Sequence, residues 1–183
     1  MAIGRQVITT EQFDVFINRP ENADKLFELV AGEIVEVPSN PYVSQLSLLI
    51  GAFILTFVRK HKLGHVTGEA GGYMVSGERY APDVGYISSV KQSQLVKEGY
   101  NPNPPDLAVE VISSNSSAEL NKLRVKITNY HSVGTVVWVV KPDEKQIEVH
   151  IAGETVIVYG ESDTLSGGDV LPGFEMPLSE IFE

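Results

Sequence analysis

Two acidic residues stand in stretches of sequence where an acidic side chain needs an explanation. Glu110 lies within LAVEVI, residues 107–112, whose other side chains are all apolar, as in a strand buried on both faces. An ionised carboxylate alone in such a place needs a compensating partner or takes up a proton. Asp83 follows Pro82 at the start of a second β-rich run, where the next side chain projects from a sheet end. Carboxylates on two neighbouring strands bind hard cations such as Mg²⁺, so the sequence predicts a cation site between Asp83 and Glu110.

Two lysines lie on the predicted helix that follows the Glu110 strand. Lys122 and Lys126 are four residues apart and share one face of a helix, whereas Arg124 points elsewhere. A cation held by carboxylates generates hydroxide and stabilises the extra negative charge of a phosphodiester transition state, and a nearby lysine positions the nucleophile or neutralises charge. The residues therefore predict phosphodiester hydrolysis, and helix phase alone leaves the choice between Lys122 and Lys126 open.

The composition predicts one folded domain. The chain has 183 residues, 43% of them hydrophobic, and we expect a single domain over residues 1–183. It contains no cysteine, which excludes disulfides and thiolate metal sites and favours a cytoplasmic location. The N-terminus lacks the apolar segment of a signal peptide, and the longest apolar stretch, residues 46–58, is too short to span a bilayer. We therefore expect a soluble protein with no membrane partner.

The negative charge is concentrated at the C-terminal end. The net charge is −10, and residues 143–183 hold ten Asp and Glu against one Lys. Residues 1–142 therefore hold the remaining fourteen acids against thirteen bases and are nearly neutral. This balance disfavours tight binding to nucleic acid regardless of sequence, but it leaves room for a nucleic-acid site in the first two thirds of the chain.

Hydrophobic periodicity predicts alternating helices and strands. Helical spacing and caps predict a short helix after Thr9, a long helix over about 41–62, a polar helix over 89–99 and a helix over about 117–131. The β-rich runs predict strands within KLFELV, EIVEV, GHVTGE, GYMVSG, DVGYIS, LAVEVI, VVWVV, QIEVHIA and ETVIVYG. Together these predict an α/β fold with a mixed central β-sheet flanked by helices, an N-terminal β-hairpin and a C-terminal β-hairpin.

Strand alternation divides LAVEVI into two faces. Leu107, Val109 and Val111 occupy one face, and Glu110 is the only charge on the other, which the following helix should cover. The long helix over 41–62 is apolar on most sides. It is therefore expected either to lie centrally or to contribute to a subunit contact.

Five stretches of the sequence, in order, resemble one known family. Asp83 in a Pro-Asp pair, followed by a hydrophobic strand with Glu110, resembles the PD-(D/E)xK nuclease superfamily, which has the restriction-endonuclease-like fold. The closer resemblance is to its Uma-type family. FELVAGEIVEV resembles that family's opening hairpin, APDVGYIS its Asp strand and PPDLAVEVIS its Glu strand. KITNYHSVGTVVWVVKP resembles its helix-strand unit, and DVLPGFEMPLSEIF resembles its C-terminal signature. The resemblance covers residues 8 to 182, and it implies a restriction-endonuclease-like DNA endonuclease that depends on Mg²⁺ or Mn²⁺.

The resemblance also assigns site residues, with one departure from the superfamily pattern. The standard motif has a lysine two residues after the glutamate, where this chain has Ile112. Members of the Uma-type family are similar in lacking it, and they carry a lysine on the next helix, four residues before a tyrosine. That lysine is Lys126, before Tyr130, and its long flexible stem can bring the ammonium group to the same point. The resemblance thus implies that the catalytic residues are Asp83, Glu110, Lys126 and Glu28. It also implies that the metal ligands are Asp83, Glu110 and the backbone carbonyl of Val111.

The resemblance implies DNA as the substrate and a homodimer as the assembly. One alternative is not enzymatic, or only weakly so: a domain that keeps the fold and the acidic cluster but binds nucleic acid or protein in a mobile element or a defence system. Another is a hydrolase that acts on a different phosphate compound. Nicking of plasmid DNA with Mg²⁺ separates the nuclease from the binding module.

Overall fold

The computed structural model describes residues 7–22, 25–36, 40–113 and 115–182. These residues form three α-helices, Thr10–Ile17 (α1), Pro41–His61 (α2) and Ser117–Ser132 (α3). They also form strands β1 to β12, which are Phe27–Val30, Glu33–Glu36, Gly64–Gly68, Tyr73–Val75, Glu78–Tyr80, Val84–Ser88, Leu107–Val111, Val136–Lys141, Gln146–His150, Ile157–Gly160, Thr164–Ser166 and Glu175–Pro177. The predicted helices before 20, over 41–62 and over 117–131 are confirmed, while Val37, the last residue of the predicted second strand, lies outside the described residues.

The larger sheet is mixed and carries the predicted C-terminal hairpin. Its six strands follow the order β10-β9-β8-β7-β6-β3. β7 and β8 are parallel and are connected by α3, whereas all the other neighbouring strands in this sheet are antiparallel. A parallel pair needs a crossover connection, so α3 must pack on the face that contains one of the two side-chain sets of β7.

The predicted N-terminal hairpin, β1–β2, belongs to a second sheet beside the mixed central one. This antiparallel sheet has the order β2-β1-β5-β4. β5 was not predicted because two of its three residues, Glu78 and Arg79, are charged and do not form a β-rich run; the chain reverses just before it, at Ser76 (φ 50°) and Gly77 (φ 85°). Pairing of β1 with β5 brings the hairpin against the segment that leads into β6. A further small hairpin, β11–β12, lies near the C-terminus.

Helix α2 packs on the face of the large sheet that contains Leu107. The Asn40 side chain caps the helix by accepting from the backbone N–H groups of Tyr42 and Val43. Leu46, Ile50, Ile54 and Val58 recur at helical spacing and are buried in a core cluster with Leu107, Val109 and Trp138. The opposite side of the helix keeps Leu48 and Leu55 exposed. The helix is therefore part of the core along one side only.

By length and composition, α2 is also the one helix among the described residues that is apolar enough to cross a membrane. Here its buried side packs against the sheet, as in the core helix of a globular domain.

Helix α3 covers the other face of the large sheet, which contains Glu110. Ser116 caps the helix by accepting from the N–H of Glu119. The helix is polar overall, yet Lys126 and Tyr130 are buried in it. A lysine buried under a helix is uncommon unless it is paired, so its partner must lie on the sheet below.

The prediction of a polar helix over 89–99 is wrong. The segment consists of turns and bends. The amide of Gln92 is buried and donates to the side chain of Asn101 and to the carbonyl of Gln94, and Gly99 has a positive φ of 69°. Side-chain hydrogen bonds of this kind compete with a helix, and a periodicity pattern does not reveal them.

Candidate active site

Strand pairing brings Asp83 and Glu110 together. β6 runs antiparallel to β7 with Val84 opposite Val109, so Asp83, one residue before β6, lies beside Glu110 on the neighbouring strand. The backbone N–H of Val111 donates to Asp83 Oδ2 over 2.6 Å, which fixes this carboxylate at the end of β7. The two carboxylates predicted to share a site are therefore adjacent.

Glu28 reaches the same place from the second sheet. It lies on β1 and is buried, with 7% of its surface exposed. Its Oε1 accepts a hydrogen bond of 2.8 Å from the backbone N–H of Ala81, two residues before Asp83. The hairpin is thus attached, through a carboxylate, to the segment that positions Asp83.

Lys126 lies between the carboxylates of the two sheets. Its Nζ is 2.9 Å from Glu28 Oε1 and 2.6 Å from Glu110 Oε2, and the lysine is 7% exposed. Lys122 instead pairs with Glu119 at 3.3 Å, with about a third of its side chain in solvent. The structure therefore brings Lys126 together with Glu28, Asp83 and Glu110 and leaves Lys122 nearer the opening.

Two tyrosines, Tyr80 and Tyr130, contact the charged groups of the cluster. The Tyr130 hydroxyl donates to Glu110 Oε1 over 3.0 Å, so both oxygens of Glu110 are bonded. Lys126 Nζ lies 5.5 Å from the centre of the Tyr80 ring, which stacks edge to face with Tyr130. The Tyr80 hydroxyl in turn contacts Glu78 and Asn129. Tyr80 was missed from sequence because it lies on the unpredicted strand β5.

Burial and, after it, the neighbouring charges shift the pKa values of the cluster. Burial raises the pKa of Asp83 to about 6, helped by Glu28 and Glu69 and opposed by the Val111 N–H and Lys126. Burial likewise raises the pKa of Glu110 to about 7, with Lys126 opposing and Glu28 and Asp83 adding to the shift. Burial alone would lower the pKa of Lys126, but Glu110 and Glu28 outweigh it and raise it. Each of these three groups therefore holds its proton more tightly than usual.

The donor set fits a hard divalent cation at the Asp83 side of the cluster. Asp83 and Glu110 offer carboxylate oxygens, which Mg²⁺ and Mn²⁺ prefer. Three carboxylates face one ammonium group, and a divalent cation would neutralise the surplus. In the described parts of the chain, no three His, Cys, Asp or Glu side chains are close enough together to hold a metal ion. Lys126, which separates Glu28 from Glu110, accounts for this, so a cation would have Asp83 and Glu110 as its side-chain ligands.

A cavity of about 120 Å³ opens onto the four charged residues. Its walls come from the hairpin, the start of α2, the end of β7 and helix α3. Besides the charged cluster, half-buried aliphatic side chains line it, namely Val35, Val43, Ile112, Leu120 and Leu123. The cluster is thus reached through an opening that is apolar on several sides.

Comparison with known proteins places the chain in a family. One crystal structure that is similar is that of a "putative nuclease belonging to DUF820" from Anabaena variabilis, with a TM-score of 0.76, 18% identity and coverage of 92% of this chain and 96% of that one. At that identity the likeness establishes the fold, and it confirms the predicted nuclease-like α/β architecture. Among proteins with curated descriptions, none matches this chain. The model of the Uma2 family, described as "Putative restriction endonuclease", matches residues 10–179. This chain belongs to the Uma2 family of restriction-endonuclease-like proteins.

Proposed function

We propose that this protein is an endonuclease that hydrolyses DNA phosphodiester bonds with the help of Mg²⁺ or Mn²⁺. The observation that carries the proposal is the buried Lys126 ammonium, which contacts Glu28 and Glu110 while Asp83 lies beside Glu110. Acidic oxygen ligands next to a fixed cationic side chain are what phosphodiester hydrolysis needs. Membership in a family of restriction-endonuclease-like proteins, which generally use divalent metals, supports the same chemistry.

Asp83 and Glu110, with the backbone carbonyl of Val111, are the proposed ligands of the cation. A cation held there would act as a Lewis acid, which would activate water as the nucleophile and stabilise the charge of the transition state. The chain's own groups orient these ligands: the N–H of Val111 holds Asp83 and the Tyr130 hydroxyl holds Glu110. Because two hydrogen bonds restrict the carboxylates before substrate arrives, little reorganisation is needed when it binds.

Lys126 is proposed to stabilise negative charge rather than to remove a proton. Its raised pKa keeps it an ammonium ion at neutral pH, and an ammonium ion has no free electron pair to act as a base. Glu28 holds that ammonium in place while itself bonded to the Ala81 N–H. Lys126 is thus suited to neutralise a phosphate oxygen that approaches Asp83 and Glu110.

Nicking of supercoiled plasmid DNA tests the proposal. Purified protein with Mg²⁺ or Mn²⁺ should convert supercoiled DNA to open circles, and EDTA should stop the reaction. Asp83→Asn and Glu110→Gln should abolish it while the variants remain folded by circular dichroism. Activity that persists in both variants would show that the cluster is not the catalytic centre.

A binding module without catalysis is the second candidate, and one specific contact favours it. Lys126 already satisfies Glu28 and Glu110, so part of the acidic charge is neutralised within the chain. If wild-type protein cleaves no form of DNA or RNA but retains them on a filter, the binding module is the correct alternative.

We further propose a homodimer. Leu48 and Leu55 are exposed on the outer side of α2, beside the edge strand β3, and a second copy would cover them. Light scattering coupled to size exclusion should give twice the chain mass for wild type and a lower mass for Leu48→Glu. A monomer at high micromolar concentration would contradict this arrangement.

A further inference from the structure

We propose that the substrate of this site is an unpaired nucleic-acid strand, whose base is held against the aliphatic wall of the cavity while its phosphate meets the acidic cluster. The inference rests on the proposed function for the position of the phosphate. It goes beyond it by choosing between a paired and an unpaired strand.

The first observation is the depth of the charged cluster. Glu28, Glu110 and Lys126 keep only 7 to 9% of their surface exposed and line a cavity of about 120 Å³. In a duplex the phosphates lie on the outside of a stiff cylinder, so a phosphate contacts side chains as buried as these only if its nucleotide leaves the helix. A strand that is already unpaired needs no such rearrangement.

The second observation is the chemistry of the opening. Val35, Val43, Ile112, Leu120 and Leu123 come from four separate elements and leave aliphatic surface around the route to the cluster. Leu120 belongs to neither core cluster that packs on the large sheet, so its apolar surface is not needed for the core. A duplex would meet this wall with charged phosphates, whereas an unpaired nucleotide can meet it with the face of its base.

The third observation is the scarcity of free positive charge along the cavity. Among the described residues that line it, the basic ones are Lys122 and Lys126, and each is paired with a carboxylate. Duplex binding draws its affinity from many phosphate contacts with Lys and Arg. A site with two paired lysines suits a contact with one phosphate and one base.

Binding to an inactive variant tests the preference without requiring cleavage. Fluorescence anisotropy would compare Glu110→Gln protein bound to a fluorescein-labelled single-stranded 20-nucleotide DNA and to the same strand in a blunt duplex, with EDTA present to remove divalent cations. We expect the single strand to bind at least about tenfold more tightly, because a base in the duplex stays paired and stacked and therefore does not reach the aliphatic wall. In wild-type protein with Mg²⁺, cleavage of the single strand should be faster by a similar factor.

Leu120→Ser, in the same Glu110→Gln background, tests whether the wall contacts the base. It should weaken binding of the single strand several-fold and leave duplex binding unchanged. Val158→Ser, at an exposed valine on β10 outside both this cavity and the proposed dimer contact, is the control and should change neither. Equal or tighter duplex binding, no binding of either DNA, or an equal effect of Leu120→Ser on both would overturn the inference. A single-strand preference in binding without any cleavage by wild type would instead overturn the proposed hydrolysis and leave the preference standing.

Discussion

Lys126 Nζ lies 2.6 Å from Glu110 Oε2, and the contact joins a helix to the strand that it covers. The buried glutamate that stood out in an apolar strand therefore has a partner within the chain. That partner is shared with Glu28, so one ammonium serves two carboxylates while Asp83 remains without an ion pair to it. The pairing explains how Glu110 is tolerated, and the remaining surplus of negative charge is what favours a cation.

Removing the Lys126 ammonium should impair catalysis far more than removing that of Lys122. Lys126→Met keeps the apolar stem, and we expect kcat for plasmid nicking to fall by about 10²–10³, as for loss of one preorganised charge-stabilising group. Lys122→Met is the matched control, and because Lys122 makes a partly exposed pair with Glu119, its effect should stay within about threefold. A larger loss in Lys122→Met would transfer the role to that residue.

The stability of the metal-free protein should depend on pH through Asp83 and Glu110. Both carboxyl groups have pKa values above their ordinary ones, about 6 and about 7 against 3.8 and 4.5. Their stabilising contribution is therefore fully present below about pH 4 and is lost as the pH rises through 6 and 7. The difference in free energy of unfolding between Glu110→Gln and wild type, measured in urea, should accordingly favour the variant more at pH 8 than at pH 5. Thr56→Ala, an exposed change without a titrating group, should differ from wild type equally at both pH values.

Binding of Mn²⁺ should require both proposed ligands and should strengthen as the pH rises. Calorimetric titration at pH 8 should show binding to wild type that is weaker by at least about tenfold in Asp83→Asn and Glu110→Gln. Affinity should fall at pH 6, because carboxyl groups with pKa values of about 6 and 7 must release protons to bind the metal. Glu180→Gln, an exposed carboxylate near the C-terminus, is the control. Unchanged affinity in Glu110→Gln would remove the proposed cation site.

The Tyr130 hydroxyl should contribute to stability through Glu110. Tyr130→Phe removes one donor from a buried carboxylate and leaves the ring in place, so we expect a loss of about 1–3 kcal/mol in the free energy of unfolding at pH 8. Tyr42→Phe, on an exposed tyrosine at the start of α2, should cost less than about 0.5 kcal/mol. If both substitutions cost the same, the hydrogen bond to Glu110 carries no net stability.

The sequence predicted those helices and strands whose apolar residues recur at a fixed period. The apolar spacing in α2 predicted that helix, and the alternation in β7 predicted that the face with Glu110 is the one covered by α3. The helix predicted over 89–99 was wrong because the buried amide of Gln92 forms hydrogen bonds that a periodicity pattern does not reveal. The strand β5, and with it Tyr80, was missed because Glu78 and Arg79 give it none of the β-rich composition that marks β4.

The charged cluster was predicted in part, for a related reason. Asp83 and Glu110 lie on neighbouring strands, and their adjacency follows from the strand register. The contact between Glu28 and Lys126 joins residues 98 positions apart in different elements, so local physical chemistry does not predict it. Helix phase also left Lys122 and Lys126 equivalent, and what separates them is how close each lies to the sheet.

Position 112, directly after β7, carries no charge in this chain, and the lysine of the cluster lies on α3 instead. In this chain Ile112 contributes an aliphatic side chain to the cavity, at the place where the superfamily motif has its charged residue. A substitution there changes the shape and polarity of the opening without removing a charged member of the cluster. Exchange of Ile112 is therefore the simplest way to alter the opening while Glu28, Asp83, Glu110 and Lys126 stay in place.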